Sequence, residues 1–86
     1  MQIPKLQVLI EAGVVRTAEA IPESTGGWTV QVTYASRHGE RCEVLERQRG
    51  GVRVFATLDA VARCLAGLGL LAFRVDAAGL AGDAPP

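Results

Sequence analysis

The sequence has few of the residues that build catalytic and metal sites. It contains one histidine, His38, and two cysteines, Cys42 and Cys64, which are too far apart for a CxxC pair. One imidazole and two separated thiols cannot complete a zinc site, and we expect both thiols to be buried and inert. We therefore predict no metal, no cofactor, no catalytic residue and no enzymatic activity.

The sequence also lacks a net charge and a long apolar run. Its nine basic and nine acidic residues cancel, which removes any general attraction for nucleic acid or anionic lipid. The longest run made only of apolar residues and glycine covers residues 64–73, whereas a membrane span needs ~20 apolar residues. No signal-peptide pattern opens the sequence, so we expect a cytoplasmic protein with no membrane partner.

Aromatic residues are scarce, with only Trp28, Tyr34, Phe55 and Phe73. The core is therefore expected to be mainly aliphatic. A chain of 86 residues forms one domain and buries only about 60% of its unfolded surface. Because 49% of the residues are apolar, we expect some apolar surface to be buried against a second subunit.

The N-terminal segment, residues 3–13, fits either a short helix or a strand. The helix is slightly favoured, because Pro4 lies in its first turn and Gly13 at its end. A strand is predicted to follow over residues 14–21.

Residues 28–36 form the clearest predicted strand. Trp28, Val30, Val32 and Tyr34 alternate with smaller or polar residues. This alternation is typical of a sheet with one face in water.

The turn after this strand is predicted to be a three-residue hairpin loop, residues 37–39. That loop pairs Tyr34 with Cys42 and gives the hairpin one apolar and one polar face. Leu45 is the misfit, because this register places it on the polar face with Glu43. A slip of one residue would exchange the faces of the second strand, so the register can be checked.

Residues 52–76 indicate a strand, a capped helix and a final strand. Thr57 is a good N-cap, and Gly69 suits a C-terminal glycine motif. The residues predicted to form the buried stripe of this helix are Leu58, Val61, Ala62, Leu65 and Leu68.

Together these segments predict a small α+β domain over residues 1–76. We expect an antiparallel or mixed sheet of four to five strands with one main helix packed on one face, and a short N-terminal helix as the optional element. Residues 77–86 are expected to form a flexible C-terminal tail.

An arginine cluster suggests a nucleic-acid alternative. The residues that would contact DNA are Arg37, Arg41, Arg47, Arg49 and Arg53. A two-stranded ribbon can enter a major groove, but the predicted register places Glu43 in the middle of the polar face, where it would repel phosphate. Ion pairs on a solvated face are the simpler interpretation, so DNA contact is not favoured.

Apolar residues outside the main helix suggest self-association instead. A homodimer is the preferred state, since tryptophan is enriched at interface centres and the N-terminal segment carries an apolar stripe. The candidate interface residues are Ile3, Leu6, Leu9, Ile10 and Trp28.

Three stretches carry a family resemblance: the N-terminal IPKLQVLIEAGVV, the central GGW, and RVFATLDAVARCLAGLGLLAFRVD over residues 53–76. With these, the chain resembles the ParC-like family, small partition-associated proteins of plasmids and integrative conjugative elements. The resemblance implies a bacterial cytoplasmic protein accessory to element maintenance, with partition-machinery proteins as partners and no catalytic residues to carry over.

The leading hypothesis is thus a non-enzymatic, self-associating interaction module in partition or maintenance of a mobile element. The alternatives are a DNA-binding accessory factor or repressor that uses the arginine-bearing hairpin, and a small domain with another role.

Overall fold

A computed structural model describes residues 1–78 of the chain. The elements are α1 (Ile3–Glu11), β1 (Val15–Pro22), β2 (Trp28–Ser36), β3 (Gly39–Val44), α2 (Leu58–Gly67) and β4 (Arg74–Val75). The strand order is β3-β2-β1-β4, and β4 runs parallel to β1 while the other neighbours are antiparallel. This confirms a small α+β domain with a four-stranded mixed sheet. The tail predicted over residues 77–86 lies, from residue 79 onward, outside the described residues.

Both helices pack on one face of the sheet. Alternation along β2 turns Val30, Val32 and Tyr34 to that face, and the partners of the two valines on β1 are the small residues Ala20 and Ala18. The helical residues buried against them are Leu6 of α1 and Val61 and Leu65 of α2. Among residues 1–78, neither helix has the length and apolar content needed to span a bilayer.

The helix α2 has both of its predicted ends. The hydroxyl of Thr57 accepts a hydrogen bond from the amide of Ala60 at 3.1 Å, which satisfies one free amide of the first turn. At the other end, Gly69 has a φ of +100°, and the amide of Leu70 donates to the carbonyl of Leu65 at 2.9 Å. This bond completes a glycine C-terminal motif.

The N-terminal segment is a helix, as favoured by its sequence. Pro4 lies in the first turn, where its missing amide costs no hydrogen bond. Gly13 follows the helix with a φ of +72°, and the amide of Val14 donates to the carbonyl of Leu9 at 3.2 Å. The same glycine motif thus ends α1 and turns the chain into β1.

The predicted register of the second hairpin is wrong by one residue. The loop has two residues, because Ser36 pairs with Gly39, and Tyr34 lies opposite Arg41 rather than Cys42. The physical reason is Leu45, which is 0% exposed. Burying a leucine side chain contributes about 2 kcal/mol, so the chain adopts the register that places Leu45 in the core.

The register also overturns the prediction that both cysteines are buried. Cys42 is exposed and Cys64 is partly buried. The shift by one residue turns Cys42 to the face of the sheet opposite the helices, where its thiol lies 3.7 Å from the side-chain oxygen of Gln31.

The strands predicted on either side of α2 are shorter than expected. Residues 52–55 form two isolated bridges, Val52 with Glu46 and Phe55 with Trp28. This segment starts beside β3 and reaches β2 at Phe55, so it follows neither strand long enough to build a ladder. The final strand shrinks to Arg74–Val75, since only these residues pair with β1.

Candidate interaction surface

One face of the sheet has no helix on it within residues 1–78. We call it the open face, and the face that carries the helices the covered face. The pairing registers assign to the open face Thr17, Glu19, Ile21, Thr29, Gln31, Thr33, Ala35, Glu40, Cys42 and Val44. Its exposed members on the β2–β3 hairpin are Gln31, Glu40 and Cys42. The open face is therefore a mixed surface of β-branched, amide, carboxylate and thiol groups.

Two exposed valines extend this face toward the turn before β2. Val52 is 45% exposed and Val54 is 53% exposed. Gly27 lies beside Val54 with a φ of +83°, and a Cβ there would come 2.8 Å from Cγ1 of Val54 and 2.7 Å from the carbonyl oxygen of Phe55. A glycine is required at this position for both reasons, which gives the second glycine of the GGW stretch a packing role.

The outer edge of β3 has unpaired backbone groups. The amide of Leu45 donates to the carbonyl of Val30 at 2.8 Å, so these residues form a hydrogen-bonded pair. Because such pairs alternate along an antiparallel ladder, the amides and carbonyls of Glu40 and Cys42 point away from β2. Among residues 1–78, no other backbone group bonds to them. We call residues 40–42 the β3 edge.

Met1 hydrogen-bonds to the chain just beyond this edge. The amine of Met1 donates to the carbonyl of Val44 at 2.5 Å, and the carbonyl of Met1 accepts from the amide of Glu46 at 2.6 Å. The amide of Val44 also points away from β2, so within residues 1–78 the β3 edge is the stretch in which the outward amides and the outward carbonyls are both unpaired.

A polar cluster fixes α1 to the covered face beside this strand. Nζ of Lys5 lies 2.9 Å from Oε2 of Glu43, and the hydroxyl of Tyr34 donates to the same carboxylate. The Tyr34 hydrogen bond, helped by Lys5, lowers the pKa of Glu43. In turn the hydrogen bond to Glu43 raises the pKa of Lys5. The observed register makes this cluster possible, because it turns Glu43 toward the helices.

The arginines predicted to contact DNA do not share one surface. Arg37 lies in the hairpin loop and is exposed. Arg41 lies opposite Tyr34, so it belongs to the covered face and not to the polar face on which it was predicted. That prediction depended on the wrong register. In the observed register, Arg41 and Gln31 lie on opposite faces of the sheet.

The other three arginines lie past the end of β3. Nε of Arg47 donates to a carbonyl within its own turn at 3.2 Å, Arg49 is exposed, and the guanidinium of Arg53 lies 4.9 Å from the centre of the Phe55 ring. Within residues 1–78, none of the five arginines forms a salt bridge.

The residues predicted to form an interface have different degrees of burial. Leu6 is 0% exposed, so its side chain belongs to the core and offers no surface to a partner. The remaining four are partly buried against the core: Ile3, Leu9, Ile10 and Trp28. Val8, off the apolar stripe of α1, is 63% exposed and was not identified from the sequence.

Residues 1–78 contain no group of three or more histidine, cysteine or acidic side chains that could hold a metal ion. A cleft of about 440 Å³ lies between the start of α1 and the turn after β3, lined by Gln2, Ile3, Pro4, Gln48 and Arg53.

The architecture defines a class: a small two-layer α+β domain whose sheet is covered on one face. A family model described as ParC-like matches residues 2–82, nearly the whole chain. The chain belongs to the ParC-like family, and the resemblance seen in its sequence is confirmed. No curated protein matches the chain, and no solved structure matches it.

Proposed function

We propose that this protein is a non-enzymatic accessory protein in the partition or maintenance of a plasmid or mobile element, and that it works as a self-associating interaction module. Membership of the ParC-like family supports the biological setting. The observation that supports self-association is the β3 edge, unpaired within residues 1–78, beside the open face.

The physical argument starts from the unpaired groups of that edge. A row of free amides and carbonyls is a template for another strand, and water satisfies those groups only as long as no strand competes. The exposed valines, Val52 and Val54, add apolar surface on the same side of the sheet. A domain with a thin core gains stability when such surface is buried in a dimer.

Light scattering coupled to size exclusion tests self-association directly. The proposal expects a dimer at a loading concentration of about 50 µM, with dissociation on dilution because assembly follows mass action. A strict monomer over the whole concentration range would contradict the proposal. Deleting the gene from its own element and measuring element loss tests the biological setting.

A DNA-binding accessory factor or repressor is the second candidate. Its support is the absence of acidic partners for the five arginines within residues 1–78, which leaves their charges available to phosphate. Binding to the element's own DNA should weaken steeply with salt and be lost in Arg41→Ala combined with Arg47→Ala. Arg63→Ala is the matched control, because Arg63 lies on α2 and pairs with Asp59 at 3.1 Å. No shift of element DNA at low salt would exclude this candidate.

A further inference from the structure

We propose, resting on the self-association above, that the β3 edge pairs antiparallel with the β3 edge of a second copy of this chain. In this pairing Glu40 lies opposite Cys42 of the second copy, and Cys42 lies opposite Glu40 of the second copy. The two four-stranded sheets then form one continuous sheet of eight strands, with a twofold axis at Arg41.

The free backbone groups select this register. The amide and carbonyl of Glu40 meet those of Cys42 on the second copy, so every free group of the edge is bonded. Placing Cys42 opposite Cys42 would require Val44, whose carbonyl is already bonded to Met1. Placing Glu40 opposite Glu40 would set two carboxylates against each other and leave Cys42 facing the turn at His38.

The charges beside the edge permit the same pairing. Each copy brings Glu40, Arg41 and Glu43 with the Lys5 that pairs with Glu43, so two copies bring no net charge together. The Arg41 side chains of the two copies face each other across the axis, and their like charges cost free energy. Each of them has Glu43 of the second copy as its diagonal neighbour. Those two contacts offset the like-charge pair.

The opposite edge of the sheet is a poorer template. The strand β4 has only two residues, and short edge strands are one way in which proteins avoid edge pairing. β3 has six residues and contains neither proline nor a bulge. Edge pairing is therefore assigned to β3.

Disulfide trapping tests the register. Glu40→Cys in a Cys64→Ser background places a thiol opposite Cys42 of the second copy, at the ~5.5 Å Cα separation of a hydrogen-bonded pair, which suits a disulfide. The two thiols of one chain lie two residues apart on one strand, about 6.8 Å between Cα atoms, at the limit for a bridge. Glu19→Cys in the same background is the control, because Glu19 lies on the open face of β1.

Under mild oxidation, the proposal expects at least about tenfold more covalent dimer from Glu40→Cys than from Glu19→Cys or the background alone. Light scattering on the reduced proteins separates this inference from the proposed function. A dimer that cross-links only through Glu19→Cys, or through neither variant, would overturn edge pairing and leave self-association standing. A monomer would overturn both.

Discussion

The two faces of the β2–β3 hairpin share one alternating pattern but have different environments. On the covered face, Val32 and Tyr34 are buried beneath the helices, while on the open face Gln31 and Cys42 lie in solvent. The difference teaches that alternation divides residues between two faces and does not say what each face contacts. We infer that the covered face maintains the fold and that the open side, with the β3 edge, serves association.

Truncating two neighbouring residues on opposite faces should give the largest difference between the faces in the free energy of unfolding. Leu45→Ala should cost about 2–5 kcal/mol in the free energy of unfolding, because it opens a cavity in the core. Val44→Ala, one residue earlier on the open face, should cost about 1 kcal/mol or less. Urea denaturation measures both, and a larger loss from Val44→Ala would show that the register is wrong.

Removing a hydroxyl from each face gives a smaller contrast. Tyr34→Phe should lower the free energy of unfolding by about 1–2 kcal/mol, since the hydroxyl is a charge-assisted donor to the carboxylate of Glu43. Thr33→Val removes one hydroxyl from the open face and keeps the size of the side chain. It should change the free energy of unfolding by about 0.5 kcal/mol or less. Equal losses in thermal or urea unfolding would mean that the polar cluster does not hold the covered face together.

The pH dependence of the free energy of unfolding is a further test of the polar cluster around Glu43, with the smallest expected effect. The pKa of Glu43 is lowered in the folded protein, first by Tyr34 and then by Lys5, so its contribution is present above the ordinary glutamate pKa and lost as pH falls through the folded pKa. We expect about 1 kcal/mol or less, because the pair is partly exposed to solvent.

Urea unfolding of the native protein and Glu43→Gln, from about pH 6 to about pH 3, measures this contribution. The difference between the two proteins should shrink as the pH falls. A difference that stays constant with pH would contradict the role given to this carboxylate.

The sequence contained enough information for the helices and for the central strand. Thr57 and Gly69 mark the ends of α2 through their own chemistry, as a side-chain oxygen and a left-handed backbone do anywhere. The alternation of Trp28 to Tyr34 likewise predicts the covered face of β2. These signals are local, so a single sequence is sufficient to identify them.

The register of β3 depends on packing that is not local. The loop length alone allowed two registers, and the choice between them rested on whether Leu45 or Cys42 entered the core. Leu45 was the misfit of the predicted pairing, and that misfit was the signal that could have corrected it. The partners of Glu43 could not be predicted, since Lys5 is brought close only when α1 docks on the sheet.

The site could be predicted only in part for the same reason. The β3 edge becomes visible once the register is known, because one shift of the pairing decides which amides face outward. Predicted sites that depended on residue type alone, such as the arginine cluster, were divided among different surfaces by the fold.

Amide hydrogen exchange along β3, measured at several protein concentrations, tests the central claim most directly. In the monomer, the amides of Arg41 and Glu43 should exchange slowly because they bond to β2, and those of Glu40 and Cys42 should exchange fast. At high concentration the two fast amides should become protected as the edges pair. Slow exchange at Glu40 and Cys42 with fast exchange at Arg41 and Glu43 in the dilute protein would contradict the register, and fast exchange at Glu40 and Cys42 in a proven dimer would contradict edge pairing.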